Sequence, residues 1–331
     1  MKALKLLPNN PERIQLVELE LPKIQKGQVL IKVQHAALNH RDQWIREGKY
    51  PKIVEAVLGS DACGTVVETN EADRHWLQKE VVINPNNLWG DDPRHQSMEY
   101  HILGMPTNGT FAEYVCVPTD RIQLKPNHLS SAEAAALPLA GLTAYRAVFT
   151  HGRVEEGLRV LVTGVGGGVA QFAFQFAKAA GAKVYATSGS EDKIHKLTAM
   201  GAKAVFNYKS DTWLKNLAQE SGPLDVIIDS AGGDQFGDLI KLLGRSGRLV
   251  FYGASNGLPN KIDLHRMFFN QISIHGSTMG NDHEFTDMLD FVSEKELKPL
   301  VSKIYPFEHI VDAFNDMKNA KQLGKLVIQT N

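Results

Sequence analysis

The chain has 331 residues, which at roughly 150 residues per domain predicts about two domains with ample core. Its 36 basic and 37 acidic residues almost cancel, which argues against binding nucleic acid or a lipid surface through bulk charge. At 43% hydrophobic and 22% charged the composition excludes disordered and collagen-like classes. Cys63 and Cys116 can form neither a disulfide framework nor a four-thiolate zinc site. They leave one disulfide possible, but low cysteine usage and no secretory run at Met1–Pro8 predict a cytoplasmic protein.

The first 128 or so residues are predicted to be β-rich. Short β-branched runs at 29–33, 64–68, 81–83 and 112–117 are separated by Gly, Pro and Asn. Between 84 and 108 lies a polar stretch with Pro85, Gly90, Pro93, Gly104 and Pro106, long for a loop in a compact domain and therefore functional or a remnant. Ser130, Ser131 and Glu133 then open an Ala-rich helix. After Gly157 strands and helices alternate. Strands are predicted at 159–163, 183–187, 204–206, 225–229, 248–252 and 271–275, with helices near 169–180, 193–200, 212–220 and 235–243. Apolar strands joined by amphipathic helices predict a parallel sheet covered on both faces. Residues 160–177 carry no charge, yet Gly164, Gly166, Gly167 and Gly168 make them strand, turn and helix, so no membrane segment is expected. A helix near 310–321 and a strand at 325–328 end the chain.

The stretch Thr163-Gly164-Val165-Gly166-Gly167-Gly168-Val169-Ala170 is the most informative. A strand, a glycine turn and a helix start supply close backbone approach, N–H groups and the positive end of a helix dipole, as a dinucleotide pyrophosphate requires. The next strand should end near the adenosine ribose, where NAD-binding proteins place an acid; here that position falls at Ser188. Glu191 and Asp192 read as first-turn residues of a helix capped by Ser190. Without an acid at 188, Lys193 can pair with a 2′-phosphate, which favours NADPH; a solvated surface lysine is the alternative.

These residues resemble the medium-chain dehydrogenase/reductase superfamily from end to end, and within it the zinc-free quinone-oxidoreductase branch. The likeness lies in Asn39-His40-Arg41-Asp42-Gln43-Trp44-Ile45-Arg46-Glu47-Gly48-Lys49-Tyr50-Pro51, Gly59-Ser60-Asp61, Leu142-Thr143-Ala144-Tyr145 and Asn207-Tyr208. It implies an α/β fold: a GroES-like β-rich catalytic domain (1–128 and 278–331) and a Rossmann doubly wound parallel sheet domain (129–277). It also implies that Lys193 and Tyr208 read the 2′-phosphate of NADPH. Thr143, Phe251, Tyr252, Gly253 and Ser277 would surround the nicotinamide half, and Lys325 would close on the cofactor phosphates. A homodimer through the sheet edge near 271–275 is expected.

Zinc-bearing members place a Cys where this chain has Asn39, a His-Glu pair where it has Ser60-Asp61, and a Cys or His near Leu139. Catalytic zinc needs three protein ligands, and only Asp61 qualifies. The 84–104 loop has no thiolate, and the spacing of His95 and His101 is poor for ligands. Arg41 and Trp44 replace the proton relay. No zinc is expected at either site. A simple ketone would form an alkoxide, whose conjugate acid has a pKa near ~15.7. A quinone or enone forms a phenolate or enolate near ~10, easier by roughly 8 kcal/mol. The expected activity is therefore hydride transfer from NADPH to a small-molecule quinone or α,β-unsaturated carbonyl. Asn39 is the candidate carbonyl donor, Tyr50 a donor or proton source, Trp44 an aromatic wall and Asp42 an orienting group. Trp44 and Tyr50 as core aromatics, and Asn39 as a turn residue, stay open. So do two other functions: a zinc-type alcohol dehydrogenase with an altered metal site, and a non-catalytic NADPH-binding sensor. Cys63 beside Asp61 is either a reactive thiol or an inert buried one.

Overall fold

The computed structural model describes every residue except Pro11, Pro51, Lys52, Lys321 and Asn331, so the motif end at Pro51 and the boundaries drawn at 321 and 331 lie outside the described residues. The chain forms two compact units, Met1–Leu142 with Gly280–Asn331, and Thr143–Met279.

In the first unit β1 (Lys2–Leu6) and β2 (Ile14–Glu18) pair antiparallel. β3 (Gln28–Ala37) leads into α1 (His40–Arg46), which Asn39 opens and Gly48, at φ +76°, follows. β4 (Asp61–Thr69) runs antiparallel to β3 with Ala37 opposite Asp61, and β5 (Glu80–Ile83) pairs with β4. β6 (Asn86–Asn87) and β7 (His101–Ile102) pair inside the polar loop. β8 (Tyr114–Pro118) joins β3 and β9 (Ile122–Leu124) joins β5. Ser130 and Glu133 form a reciprocal capping box at α2 (Ser131–Ala136), as the sequence predicts. α3 (Pro138–Tyr145) follows.

The second unit alternates strand and helix: β10 (Arg159–Val162), α4 (Gly168–Ala179), β11 (Lys183–Ser188), α5 (Glu191–Ala199), β12 (Ala204–Asn207), α6 (Trp213–Ser221), β13 (Leu224–Asp229), α7 (Phe236–Leu242), β14 (Leu243–Phe251), α8 (Leu264–Asn270) and β15 (Ser273–Gly276). All six strands are parallel, in the order β12-β11-β10-β13-β14-β15. This is the doubly wound Rossmann arrangement, in which the order reverses between β10 and β13. Leu161, Ile227 and Leu249 from the sheet pack with Leu217 and Leu239 from the helices.

The chain returns to the first unit through α9 (Asp282–Glu294), β16 (Val301–Pro306), α10 (Ile310–Lys318) and β17 (Lys325–Gln329). β17 inserts beside β3 with Val327 opposite Ala37, giving the order β16-β17-β3-β4-β5-β9. Ile31, Ile45, Ile83, Phe111 and Phe314 fill this GroES-like core.

The division between units falls at 142/143, later than the 128/129 break in the sequence, because α2 packs on β3, β4 and β17. Its run of small alanines lets it lie flat on the β-rich unit. β4 also starts earlier than predicted. Residues 61–64 are buried on both faces, so they lack the alternation by which a half-buried strand is recognised. Among the described residues no helix is long and apolar enough to cross a membrane.

Gly324 sets the start of β17. It sits at φ +97°, and a Cβ there would lie 2.1 Å from the Leu300 carbonyl oxygen. Gly324→Ala should destabilise the chain by about 1–3 kcal/mol. Gly157→Ala meets no neighbour within 4 Å and should cost less. Urea denaturation of the two variants against the parent checks this.

Candidate active site

In the first unit three distant stretches of chain converge on one carboxylate. Asp61, fully buried at the head of β4, accepts at Oδ2 from Asn39 Nδ2 (2.9 Å) and Lys325 Nζ (3.0 Å). Its Oδ1 accepts from the Leu139 backbone N–H at 2.8 Å. Lys325 also donates to Asn39 Oδ1 at 2.5 Å, and its side chain is only 2% exposed. The register explains the meeting: Ala37 on β3 lies opposite both Asp61 and Val327, so the ends of β3 and β4 and the start of β17 are neighbours.

Asn39 is positioned from below by Asp42. The Asp42 Oδ2 accepts the Asn39 backbone N–H at 2.8 Å, while its Oδ1 is buried with no hydrogen-bond partner among the described residues. Burial pushes this carboxyl up to about 6, against the pull of Arg41 at 3.9 Å. Asp42 thus holds the α1 start. Arg41 is buried, donating to Ser60 Oγ (2.7 Å) and the Leu103 carbonyl (3.0 Å), with its guanidinium 5.3 Å from the Tyr50 ring centre. Tyr50 is half-buried against the core. Trp44 is 40% exposed with its ring centre 6.3 Å from that of His40, so it is no core aromatic. Desolvation, and then the Lys325 cation, hold His40 below its ordinary value.

The resemblance assigns Lys325 to cofactor phosphates; the structure gives its ammonium Asn39 and Asp61 as partners. The sequence could not pair Lys325 with residues 286 and 264 positions away.

In the second unit the glycine turn joins β10 to α4. Gly164 has φ +59° and donates its N–H to Thr187 Oγ1 (2.9 Å), and Val165 N–H reaches the Thr187 carbonyl (2.8 Å). Gly167 sits at the N-cap position of α4, and Gly168 and Val169 begin the helix, whose first-turn N–H groups have no acceptor within it. Lys193 reaches back over the turn, for a Cβ on Gly166 would lie 3.0 Å from its Nζ. Tyr208 closes the other side, its hydroxyl 2.5 Å from where a Gly189 Cβ would sit. Gly166, Ser188, Lys193 and Tyr208 therefore gather at the carboxyl end of β11. Burial lowers the Lys193 ammonium from its ordinary value. Ser190 stands at the N-cap position of α5, but its side chain makes no capping bond.

Towards the other edge of the sheet Phe251 ends β14, and Tyr252 and Gly253 follow it. A Cβ on Gly253 would lie 2.8 Å from the Ser230 carbonyl oxygen, and burial raises the Tyr252 hydroxyl. Ser277 donates its N–H to the Phe251 carbonyl, yet its Oγ is buried without a hydrogen-bond partner among the described residues. Thr143, also buried, lies 3.6 Å from the Met279 sulfur. The orphaned Ser277 hydroxyl and the glycine cradle fit a bound dinucleotide. Sequence reasoning missed Thr163 and Asp229: Thr163 Oγ1 donates to Asp229 Oδ1 (2.5 Å), and Asp229 Oδ2 accepts from Gly232 N–H (2.8 Å). The available signal was an acid ending an apolar strand before two glycines.

The corresponding residues do not fit a catalytic zinc. Asn39, Ser60, Asp61 and Leu139 offer one carboxylate, whose two oxygens already accept three hydrogen bonds, one from a cation. In the polar loop His95 Nδ1 faces the Gln96 carbonyl and His101 Nδ1 that of Glu99, and Trp89 packs edge-on to Tyr100 instead. Cys63 is buried and its thiol is pushed up to about 12, the inert alternative.

Asp42 sets a pH dependence. A folded-state value near 6 against an ordinary 3.8 gives stability that is full below the lower value and lost as pH rises through the upper one. Relative to Asp42→Asn, the parent chain should lose about 1.4 kcal/mol between pH 5 and pH 7.5. Urea denaturation at the two pH values measures it, and parallel behaviour of the two proteins would refute it.

Comparison with known proteins agrees with both units. Residues 25–127 match the family described as alcohol dehydrogenase GroES-like domain, and residues 168–294 match zinc-binding dehydrogenase. The zinc-type alcohol dehydrogenase-like protein YogA of Leptosphaeria maculans is 35% identical over 96% of this chain and 94% of its own length. The quinone oxidoreductase of Mus musculus is 27% identical over 99% of this chain and 97% of its own. A crystal structure of an NAD-dependent alcohol dehydrogenase superposes with a TM-score of 0.90 at 35% identity, covering all of both chains. The chain belongs to the medium-chain dehydrogenase/reductase superfamily of nicotinamide-dependent oxidoreductases.

Proposed function

We propose that this chain is an NADPH-dependent reductase of quinones or α,β-unsaturated carbonyls that works without a metal. The observation that carries the proposal is the buried Asn39–Asp61–Lys325 cluster, in which Asn39 and Asp61 stand where the resemblance puts metal ligands in zinc-bearing members and Lys325 supplies the cation. With no Lewis acid, the oxyanion formed must be one that side-chain donors can stabilise. A phenolate or enolate meets that condition; an alkoxide, roughly 8 kcal/mol harder to form, does not.

When bound, the nicotinamide supplies the hydride. Gly166, Gly167, Gly168 and Val169 would hold the pyrophosphate at the α4 start, Lys193 and Tyr208 the 2′-phosphate, and Ser277 and Thr143 the nicotinamide half. Asn39 has a second Nδ2 hydrogen beyond the one given to Asp61 and offers it to the acceptor oxygen. Tyr50, under the Arg41 guanidinium, donates the proton that completes the reduction. Trp44, exposed on α1, forms a flat apolar surface for a conjugated substrate. For the partner, we assign a homodimer contact to the open edge at β15, with exposed Leu264, Phe268 and Phe269 on the helix before it.

Loss of NADPH absorbance should be seen with quinones and enones and not with simple ketones. Turnover of simple alcohols would favour a dehydrogenase with an altered metal site. Tight NADPH binding without oxidation across the panel would favour a sensor.

Two further outcomes follow from the same groups. Lys193→Ala should weaken NADPH by about ten- to a hundredfold and leave NADH nearly unchanged in a fluorescence titration. Equal losses would remove Lys193 from the 2′-phosphate. Elemental analysis of protein prepared without chelators should find zinc well below one equivalent per chain, and a stoichiometric amount would defeat the metal-free mechanism.

A further inference from the structure

We infer that Lys325, anchored by Asp61, is the positioning residue that fixes which end of the Asn39 amide is presented to the acceptor. The inference rests on the proposal above that Asn39 is the carbonyl donor.

A side-chain amide has two ends of similar shape and opposite polarity, and its terminal torsion is soft and nearly two-fold. Left alone, Asn39 could present either its oxygen or its NH₂. The two charged neighbours remove that choice. An ammonium has donors only and a carboxylate acceptors only. Lys325 Nζ lies 2.5 Å from Oδ1 and Asp61 Oδ2 lies 2.9 Å from Nδ2. A flipped amide would set its NH₂ against the ammonium and its oxygen against the carboxylate, losing two charge-assisted bonds and gaining two repulsions. The cluster is buried, so water does not screen this preference.

The fold makes the clamp rigid. The Leu139 N–H holds the second oxygen of Asp61 at 2.8 Å. Gly324, which tolerates no side chain against Leu300, delivers Lys325 at the first residue of β17. The Asn39 backbone N–H is held independently by Asp42. Once Oδ1 and one Nδ2 hydrogen are engaged, a single N–H remains, and its polarity suits an oxygen that gains negative charge. Lys325 forms and breaks no bond in the reaction; it acts through Asn39.

The test is a coupling cycle on the full chain, with a quinone as acceptor. Removing Lys325 alone strands a buried carboxylate, so the variant pair Lys325→Met with Asp61→Asn removes both charges together. This pair and Asn39→Ala should each lower kcat on the order of ten- to a hundredfold, with the NADPH dissociation constant within about twofold of the parent. The triple variant should be no slower than Asn39→Ala, because the clamp has nothing left to orient. Losses that multiply in the triple variant would overturn the inference while leaving the proposed reaction intact. Weakened NADPH binding at unchanged kcat would overturn it too, assigning Lys325 to the cofactor phosphates. If the neutral pair does not fold, Lys325→Arg keeps the charge but replaces a compact donor by a planar fork, and the same coupling to Asn39→Ala is expected. Absence of turnover in the parent protein would defeat the proposed function and this inference with it.

Discussion

The first unit is organised around one fully buried carboxylate. Asp61 gathers a side-chain amide from the α1 start, an ammonium from the first residue of β17 and a backbone N–H from α3. These segments come from both ends of a unit interrupted by a second one. Burying a carboxylate in this way is unfavourable unless its lone pairs are met. Here each donor arrives on a separate element, so the ion's demand for partners becomes a constraint on how those elements join. The β3 register with β4 and β17, which sets Ala37 opposite both Asp61 and Val327, meets that constraint.

A parallel logic holds in the second unit, on neutral hydrogen bonds and one more buried acid. Asp229, at the end of β13, accepts from Thr163, Ala231 and Gly232, and Thr187, near the end of β11, holds Gly164. The glycine turn is thus fixed from both neighbouring strands. Glycines make the cradle open, and polar residues at the adjacent strand ends keep it in place. A turn held this way can accept a pyrophosphate without first being ordered, which lowers the entropic cost of binding.

Much of this was legible in the sequence. The strand–glycine–helix pattern and the alternation that follows located the second unit, because buried parallel strands and amphipathic helices leave local signatures. The β-branched runs of the first unit were visible too. What stayed hidden is instructive. The two-sided burial at 61–64 erased the alternation that marks a strand, and α2 was assigned to the wrong side of the break since its attachment to β3 and β4 is a tertiary fact. α1 is short, and its cap depends on Asp42, which the sequence offers equally as an acid. Lys325 could be given a role only by likeness, because its partners lie far off in the chain and strand adjacency alone brings them together.

The substitution pattern at this cluster has an internal consistency that single positions do not reveal. A site that gave up its ligands but kept Asp61 alone would hold a buried, uncompensated charge. Lys325 compensates that charge, and Asn39, between the two, is engaged at both polar ends through Oδ1 and one Nδ2 hydrogen. Arg41 donates to Ser60 Oγ, whose own proton goes to the Leu103 carbonyl, so Ser60 too is held by hydrogen bonds within the protein. The cluster is thus a preformed polar arrangement held by hydrogen bonds between side chains and backbone. Its electrophilic strength is correspondingly limited: a neutral N–H stabilises a developing oxyanion much less than a divalent cation does. On the proposed reading, such a site would be effective where the substrate itself delocalises the charge, and the choice of acceptor would follow from the same hydrogen bonds that hold the fold.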